Sequence, residues 1–126
     1  MKRVYISGPL TTSGSVGANV RAAVDAGTAV QDAGHAAYIP HLNYFGWEVI
    51  HPRPYEYWIA GDLAWVAVCD ALIRLPGRSK GANREVQEAL KHNIPVYYSV
   101  AEFLRAVKVE ETFLLHDLTS LTGQVS

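Results

Sequence analysis

A chain of 126 residues that is 49% hydrophobic carries enough apolar mass for one well-filled domain and too little for two. Its formal charge is −1, without a Lys/Arg run or an alternation of basic and aromatic residues, which speaks against nucleic-acid and membrane surfaces and leaves a small molecule as the expected partner. The single cysteine, Cys69, excludes an internal disulfide and reads as a packed core thiol; with no apolar run near the ~20 residues of a membrane span and a strand starting almost at Met1, a cytoplasmic location is expected.

Val4, Tyr5, Ile6 and Ser7 form a short β-rich run ending at Gly8-Pro9, the pattern of a buried strand delivered into a loop. That loop, residues 9–17, is rich in Thr, Ser and Gly. It offers hydroxyls and backbone N–H groups near a helix start, with Ser13 or Ser15 as N-cap, which suits an anion, although neither a P-loop nor a Gly-x-Gly-x-x-Gly is present. From Val16 onward, Val20, Val24 and Gly27 line one helical face, and Gly34 closes the helix. Residues 36–40 are the next strand. Residues 41–54, dense in His, Asn, Tyr, Trp and Pro, read as an irregular stretch overhanging a pocket, with His41 and Asn43 as candidates to contact a flat heterocycle. A surface flap or subunit contact is an equal reading for Tyr44, Trp47 or His51.

Residues 55–68 are helical by period, with Ile59, Leu63 and Val66 on one stripe and Asp62 flanked at helical spacing by Trp58 and Trp65. Apolar surroundings of that kind raise a carboxyl pKa and help it hold a proton. Residues 70–75 make the third strand. A turn-forming loop at residues 76–81 then opens a helix to Asn93, in which Ala82, Val86, Ala89 and Leu90 recur as a buried stripe and Arg84, Glu88 and Lys91 face solvent. Glu85 falls on or beside the buried stripe. A buried carboxylate costs several kcal/mol unless it is paired, so Glu85 is either the partner of Arg84 or Lys80 or a working group. Residues 94–98 give a fourth strand and residues 101–107 a short helix. Phe113, Leu114, Leu115 and Leu118 make the remaining segment, residues 108–126, too apolar for a free tail, so it is expected to pack on the domain or on a neighbouring subunit.

Alternating strands and helices predict a single small doubly wound α/β domain, flavodoxin- or Rossmann-like, with a four- or five-stranded parallel sheet flanked by helices, over residues 1–107. Ligands in such sheets sit where strand order reverses, beyond the C-terminal strand ends. There the loop after the first strand, with Ser7, Gly8, Pro9 and Thr11, meets the loop after the third, with Ser79 and Gly81, and both meet Glu85 and Asp62. The five histidines are scattered without a pair at ligand spacing, so no metal is expected, nor any cofactor.

With these residues in hand, the chain resembles the nucleoside 2-deoxyribosyltransferase superfamily, especially its small 2'-deoxynucleoside 5'-phosphate N-hydrolase-like phage and bacterial members. Val4-Tyr5-Ile6-Ser7-Gly8 looks like the family's first strand, whose tyrosine helps position the nucleophile. Asp62-Leu63-Ala64-Trp65-Val66 with Cys69-Asp70 looks like its Asp-Leu-x-Trp helix, whose aspartate acts at the leaving base. Ser79 to Glu85 looks like its Ser-x-Gly-x-x-x-Glu segment, where serine meets the phosphate and glutamate attacks the sugar. The match covers roughly residues 2–107. It departs at Pro9-Leu10-Thr11-Thr12, where the phosphate-demanding hydrolases carry a Ser and then an Arg; Arg78, Lys80 or Arg84 are candidate replacements for that charge.

The resemblance implies cleavage of the N-glycosidic bond of a (deoxy)nucleoside or its 5'-monophosphate through a glutamyl glycosyl-enzyme, with Glu85, Asp62 and Tyr5 as catalytic residues. Substrate-binding residues would be Ser7, Gly8, Pro9, Thr11, His41, Asn43, Trp65, Ser79 and Gly81. Base exchange between deoxynucleosides and a catalytically silent nucleotide-binding or sensing module are the alternatives. The family's habit of completing sites across subunits implies a homodimer or larger homo-oligomer.

Overall fold

The computed structural model describes residues 1–125, with side chains described through residue 118; Ser126 and the side chains of residues 119–125, part of the expected C-terminal segment, lie outside that description. Strands β1 (Arg3–Ser7), β2 (Ala36–Tyr38), β3 (Ala71–Arg74) and β4 (Val96–Tyr97) form one parallel sheet in the order β2-β1-β3-β4. Register pairs Val4 with Ala37 and Ala71, and Leu72 with Val96. The order reverses between β1 and β3, as a doubly wound sheet predicts. The α/β class and the four-stranded parallel sheet therefore agree with the sequence.

Side-chain alternation along the strands sorts the core into two layers. Val4, Ile6, Ala71 and Ile73 face α1 (Val16–Asp32) and α5 (Val100–Val125), packing with Ala23, Ala26, Val30, Phe103 and Val107. Tyr5 and Leu72 face the other side, where α3 (Tyr55–Val66) and α4 (Lys80–Lys91) lie, packing with Val66, Cys69, Ala89 and Ile94. Cys69 is buried and free, and burial pushes its thiol up to about 11, as suits a core thiol. Helix α1 crosses the sheet closely because Gly27 has no side chain: a Cβ there would sit 2.4 Å from Ile39 Cδ1. Ser15, not Ser13, caps α1, accepting from the Ala18 N–H at 3.1 Å.

Several boundaries differ from expectation. The irregular stretch contains a 3-10 turn (Pro40–Tyr44) and α2 (Trp47–Ile50). Leu90, expected in the buried stripe of α4, is exposed, because Ala82, Glu85 and Ala89 already fill the face against the sheet. The expected short helix and separate tail are one helix, α5, since no Pro or Gly interrupts residues 100–122. Its first turns are anchored by Phe103 and Val107. Farther along, Glu110 pairs with Lys2 at 3.2 Å, while Phe113 is 64% and Leu114 54% exposed. Among the described residues no helix is long and apolar enough to cross a membrane.

Candidate active site

A cavity of about 960 Å³ opens at the switch point between β1 and β3. Its walls come from the loop after β1 (Gly8, Thr11), the turn at residues 40–44 (His41, Asn43), α3 (Trp58, Asp62) and the start of α4 (Ser79, Gly81, Glu85). The two loops are tied together. Thr12 Oγ1 and Ser13 Oγ both donate to the Arg78 carbonyl, while Asn19 Nδ2 donates to the Leu10 and Thr12 carbonyls. Gly77, at φ +114°, completes the junction; a Cβ there would lie 2.7 Å from Pro9 Cγ.

Glu85 is the buried carboxylate that the helix period pointed to, only 5% exposed. Among the described residues it has no cationic partner in contact. Arg84 is engaged with Glu56 (Nη1 to Oε1, 2.9 Å), and Lys80 forms no ion pair among the described residues. Instead Tyr5 Oη donates to Oε2 at 2.6 Å and Ser7 Oγ donates to Oε1 at 2.7 Å. Strand alternation explains why both donors are there: residues 5 and 7 of β1 project from the same face, toward α4. Burial pushes the Glu85 carboxyl up to about 7; the Tyr5 and Ser7 bonds oppose this, Asp62 adds to it, and the more distant Arg74 charge opposes it weakly. The same burial, together with the nearby Glu85 carboxylate, holds the Tyr5 phenol well above its ordinary range, so Tyr5 remains a donor.

Asp62 reaches the same cavity from α3, and burial alone pushes its carboxyl up to about 6. The apolar surroundings expected from the sequence are present, but the two indoles do different things. Trp58 lines the cavity, one turn before Asp62. Trp65 is 52% exposed and stacks on Tyr38 with ring centroids 5.1 Å apart; Tyr38 in turn stacks on Tyr5 at 5.5 Å. Trp65 thus ends a three-ring stack that braces the Tyr5 side of the carboxylate, away from the cavity wall.

Of the residues expected to bind substrate, Gly8, Thr11, His41, Asn43, Ser79 and Gly81 are on the wall and Ser7, Pro9 and Trp65 are not. Ser7 is fully buried beneath Glu85, and the Pro9 carbonyl is met by His41 Nε2 at 3.1 Å. Ser79 Oγ caps α4 by accepting from the Ala82 N–H at 3.0 Å. Arg78 and Lys80 bracket this N-terminus on the cavity wall, and among the described residues neither has an ion-pair partner. Arg53, Tyr55 and Asn83 also line the cavity and were not singled out in the sequence. Asn83 carried a weak signal, one turn into α4 beside Gly81; Arg53 lies in the irregular stretch, where no periodicity assigns direction. Among the described residues no three His, Cys, Asp or Glu side chains gather as metal ligands would.

Comparison with known proteins adds to this geometry. A family described as "Domain of unknown function (DUF4406)" matches residues 2–98. No curated protein matches. Among solved structures, a 2-deoxyribosyltransferase from the psychrotolerant bacterium Bacillus psychrosaccharolyticus, described as a biocatalyst for synthesis of nucleosides, superposes with a TM-score of 0.59. It is 17% identical, and the alignment covers 75% of this chain and 69% of that one, a likeness of fold.

Proposed function

This chain belongs to the DUF4406 family, and on that premise we propose that it cleaves the N-glycosidic bond of a (deoxy)nucleoside or its 5'-monophosphate and releases the free base. The observation that carries the reading is Glu85: a cavity-facing carboxylate, buried, bonded by two hydroxyls and left without a contacting cation. A structural carboxylate would be expected to find an Arg or Lys; one held by neutral donors keeps a lone pair for attack.

In the proposed reaction a Glu85 carboxylate oxygen bonds to the anomeric carbon as the bond to the base nitrogen breaks. Asp62 delivers its proton to the departing base, so the bonding pair leaves as a neutral N–H. Water then attacks the anomeric carbon, Asp62 takes the proton, and Glu85 leaves as carboxylate. Tyr5 and Ser7 fix the carboxylate rotamer. Arg78 and Lys80, beside the α4 N-terminus, are the groups proposed to hold a 5'-phosphate, a role for which Arg84 is unsuited because Glu56 occupies it.

The two carboxyls titrate at about 6 and about 7, so only between these values do they share a single proton. Below that window both carboxyls are protonated and above it both are ionised; within it the proton lies mainly on Glu85, and the productive arrangement, with the proton on Asp62 and the charge on Glu85, is the minor form, whose share is greatest there. A bell-shaped rate profile with its maximum near pH 6–7 is expected. Transfer to a second base is the competing outcome, favoured by the activity for which the structural relative is described. A chromatographic screen of ribo- and deoxynucleosides, with and without 5'-phosphate and with a second free base present, tests the reading. Free base supports hydrolysis and new nucleoside supports transfer; no turnover of any compound, or turnover unchanged in Glu85→Ala, sinks the proposal.

A further inference from the structure

Arg74, the last residue of β3, is a cation that the reaction above does not use, and it is only 9% exposed. A buried guanidinium normally finds a carboxylate. Among the described residues Arg74 pairs with none. Every bond it makes goes to a neutral oxygen: Nη1 donates to the Leu75 carbonyl, and Nη2 donates to the Gly77 carbonyl at 2.8 Å and to Asn83 Oδ1 at 3.2 Å. The planar fork of donors suits three acceptors spread over two elements, which a compact ammonium does not.

Two of these acceptors belong to the loop after β3 and the third to α4. Arg74 holds the Leu75 and Gly77 carbonyls, while Thr12 and Ser13 hold that of Arg78, so the turn delivering Arg78, Ser79 and Lys80 to the cavity is pinned from two sides. The charge also lies near the nucleophile. Arg74 is the partner of Ser7 in the parallel ladder, about 4.8 Å away at the backbone, and residues in register project from the same face. Ser7 is the residue that donates to Glu85 Oε1 at 2.7 Å. Of the titratable groups around Glu85, Tyr5 comes from β1, Tyr38 from β2, Asp62 from α3 and Arg74 from β3, while β4 presents Val96 on this side. Arg74 is the cation among them.

Resting on the reading of Glu85 above, we propose that Arg74 is a positioning residue of the site, clamping the loop after β3 to α4 while keeping its own charge unneutralised beside the nucleophile. A carboxylate would satisfy the guanidinium equally well but would cancel its charge. Carbonyl oxygens hold it without doing so, and its field still favours the ionised form of Glu85. Arg74 is not on the cavity wall, so it acts through the loop and through Glu85.

The test compares two variants of the full chain, each measured well below its own Tm. Arg74→Lys keeps the charge but not the fork; Arg74→Gln keeps two donors but not the charge. Two readouts need no turnover: the titration of the Glu85 carboxyl followed by carbon-13 NMR, its signal assigned by its loss in Glu85→Gln, and amide hydrogen exchange in the loop after β3. Arg74→Gln is expected to raise the Glu85 titration point by about half a pH unit, and the alkaline limb of the rate profile with it. Arg74→Lys is expected to leave that titration in place, to speed exchange in the loop about tenfold, and to raise KM about tenfold through the loosened turn. A role in packing alone would lower Tm in both variants without separating them. An unmoved titration in Arg74→Gln, an equal shift in both variants, or loop exchange unchanged in Arg74→Lys overturns the proposal. Separation of the variants without release of base from any nucleotide sinks the enzymatic reading and leaves the placement of Arg74 standing; release of base without separation does the reverse.

Discussion

At Glu85, position and environment came from different sources. The helix period placed a carboxylate on the buried side of α4 from sequence alone, but its partners depended on which strand lay beneath and in what register. Tyr5 and Ser7 are 80 and 78 residues away, and only the fold brings them within hydrogen-bond reach. Tyr5→Phe is expected to lower kcat by about 10–100-fold and, because the phenol bond favours the ionised carboxylate, to raise the Glu85 pKa and move the alkaline limb of the pH profile upward. The raised pKa has a second effect. Between the ordinary value of 4.5 and about 7 the folded chain keeps a proton that the unfolded chain has released, so this group's contribution makes stability fall as pH rises through that window. Glu85→Gln, which can still bond Tyr5 and Ser7, is expected to be more stable than the parent at pH 8, by at most about 3 kcal/mol, with the gap closing by pH 4. Urea melts at the two pH values measure it.

Elements were legible where period or punctuation was strong. The first strand, α1 with its cap, α3 and α4 were all visible as runs with one repeat. The expected ends of β2 and β4 ran long, since apolar residues beyond the last ladder bond read the same as those within it. Residues 41–54 hid a 3-10 turn and a one-turn helix, both too short to show a repeat. Gly27 illustrates how an element can depend on a missing side chain. In a lone helix Gly27→Ala would gain about 1 kcal/mol of propensity, yet here the new methyl would meet Ile39 Cγ1 at 2.9 Å and Cδ1 at 2.4 Å. Displacing Ile39 costs about 1–3 kcal/mol, so a lower Tm is expected, readable by thermal circular dichroism.

For the whole molecule, the sequence supplied the number of layers and the location of the cavity, while the extent of α5 was missed because its apolar residues do not keep to one stripe. The domain proposed for residues 1–107 makes a direct prediction. A chain ending at Glu110, which keeps Phe103, Val107 and the Lys2–Glu110 ion pair at 3.2 Å, is expected to fold with a Tm within a few degrees of the full chain when both are monomeric. Sedimentation of the two chains would reveal whether the distal half of α5, with Phe113 and Leu114 outward, serves self-association, as the proposed homo-oligomer requires.

The bonds from Thr12 and Ser13 to the carbonyl of Arg78 join the first and third loops into one span across the sheet edge. Any widening of the aperture that preserves those links must come from the opposite bank, the segment of residues 40–50. In deuterium-exchange experiments the amides of that bank should slow when a nucleotide docks, together with those at the α4 N-terminus where the phosphate is proposed to sit.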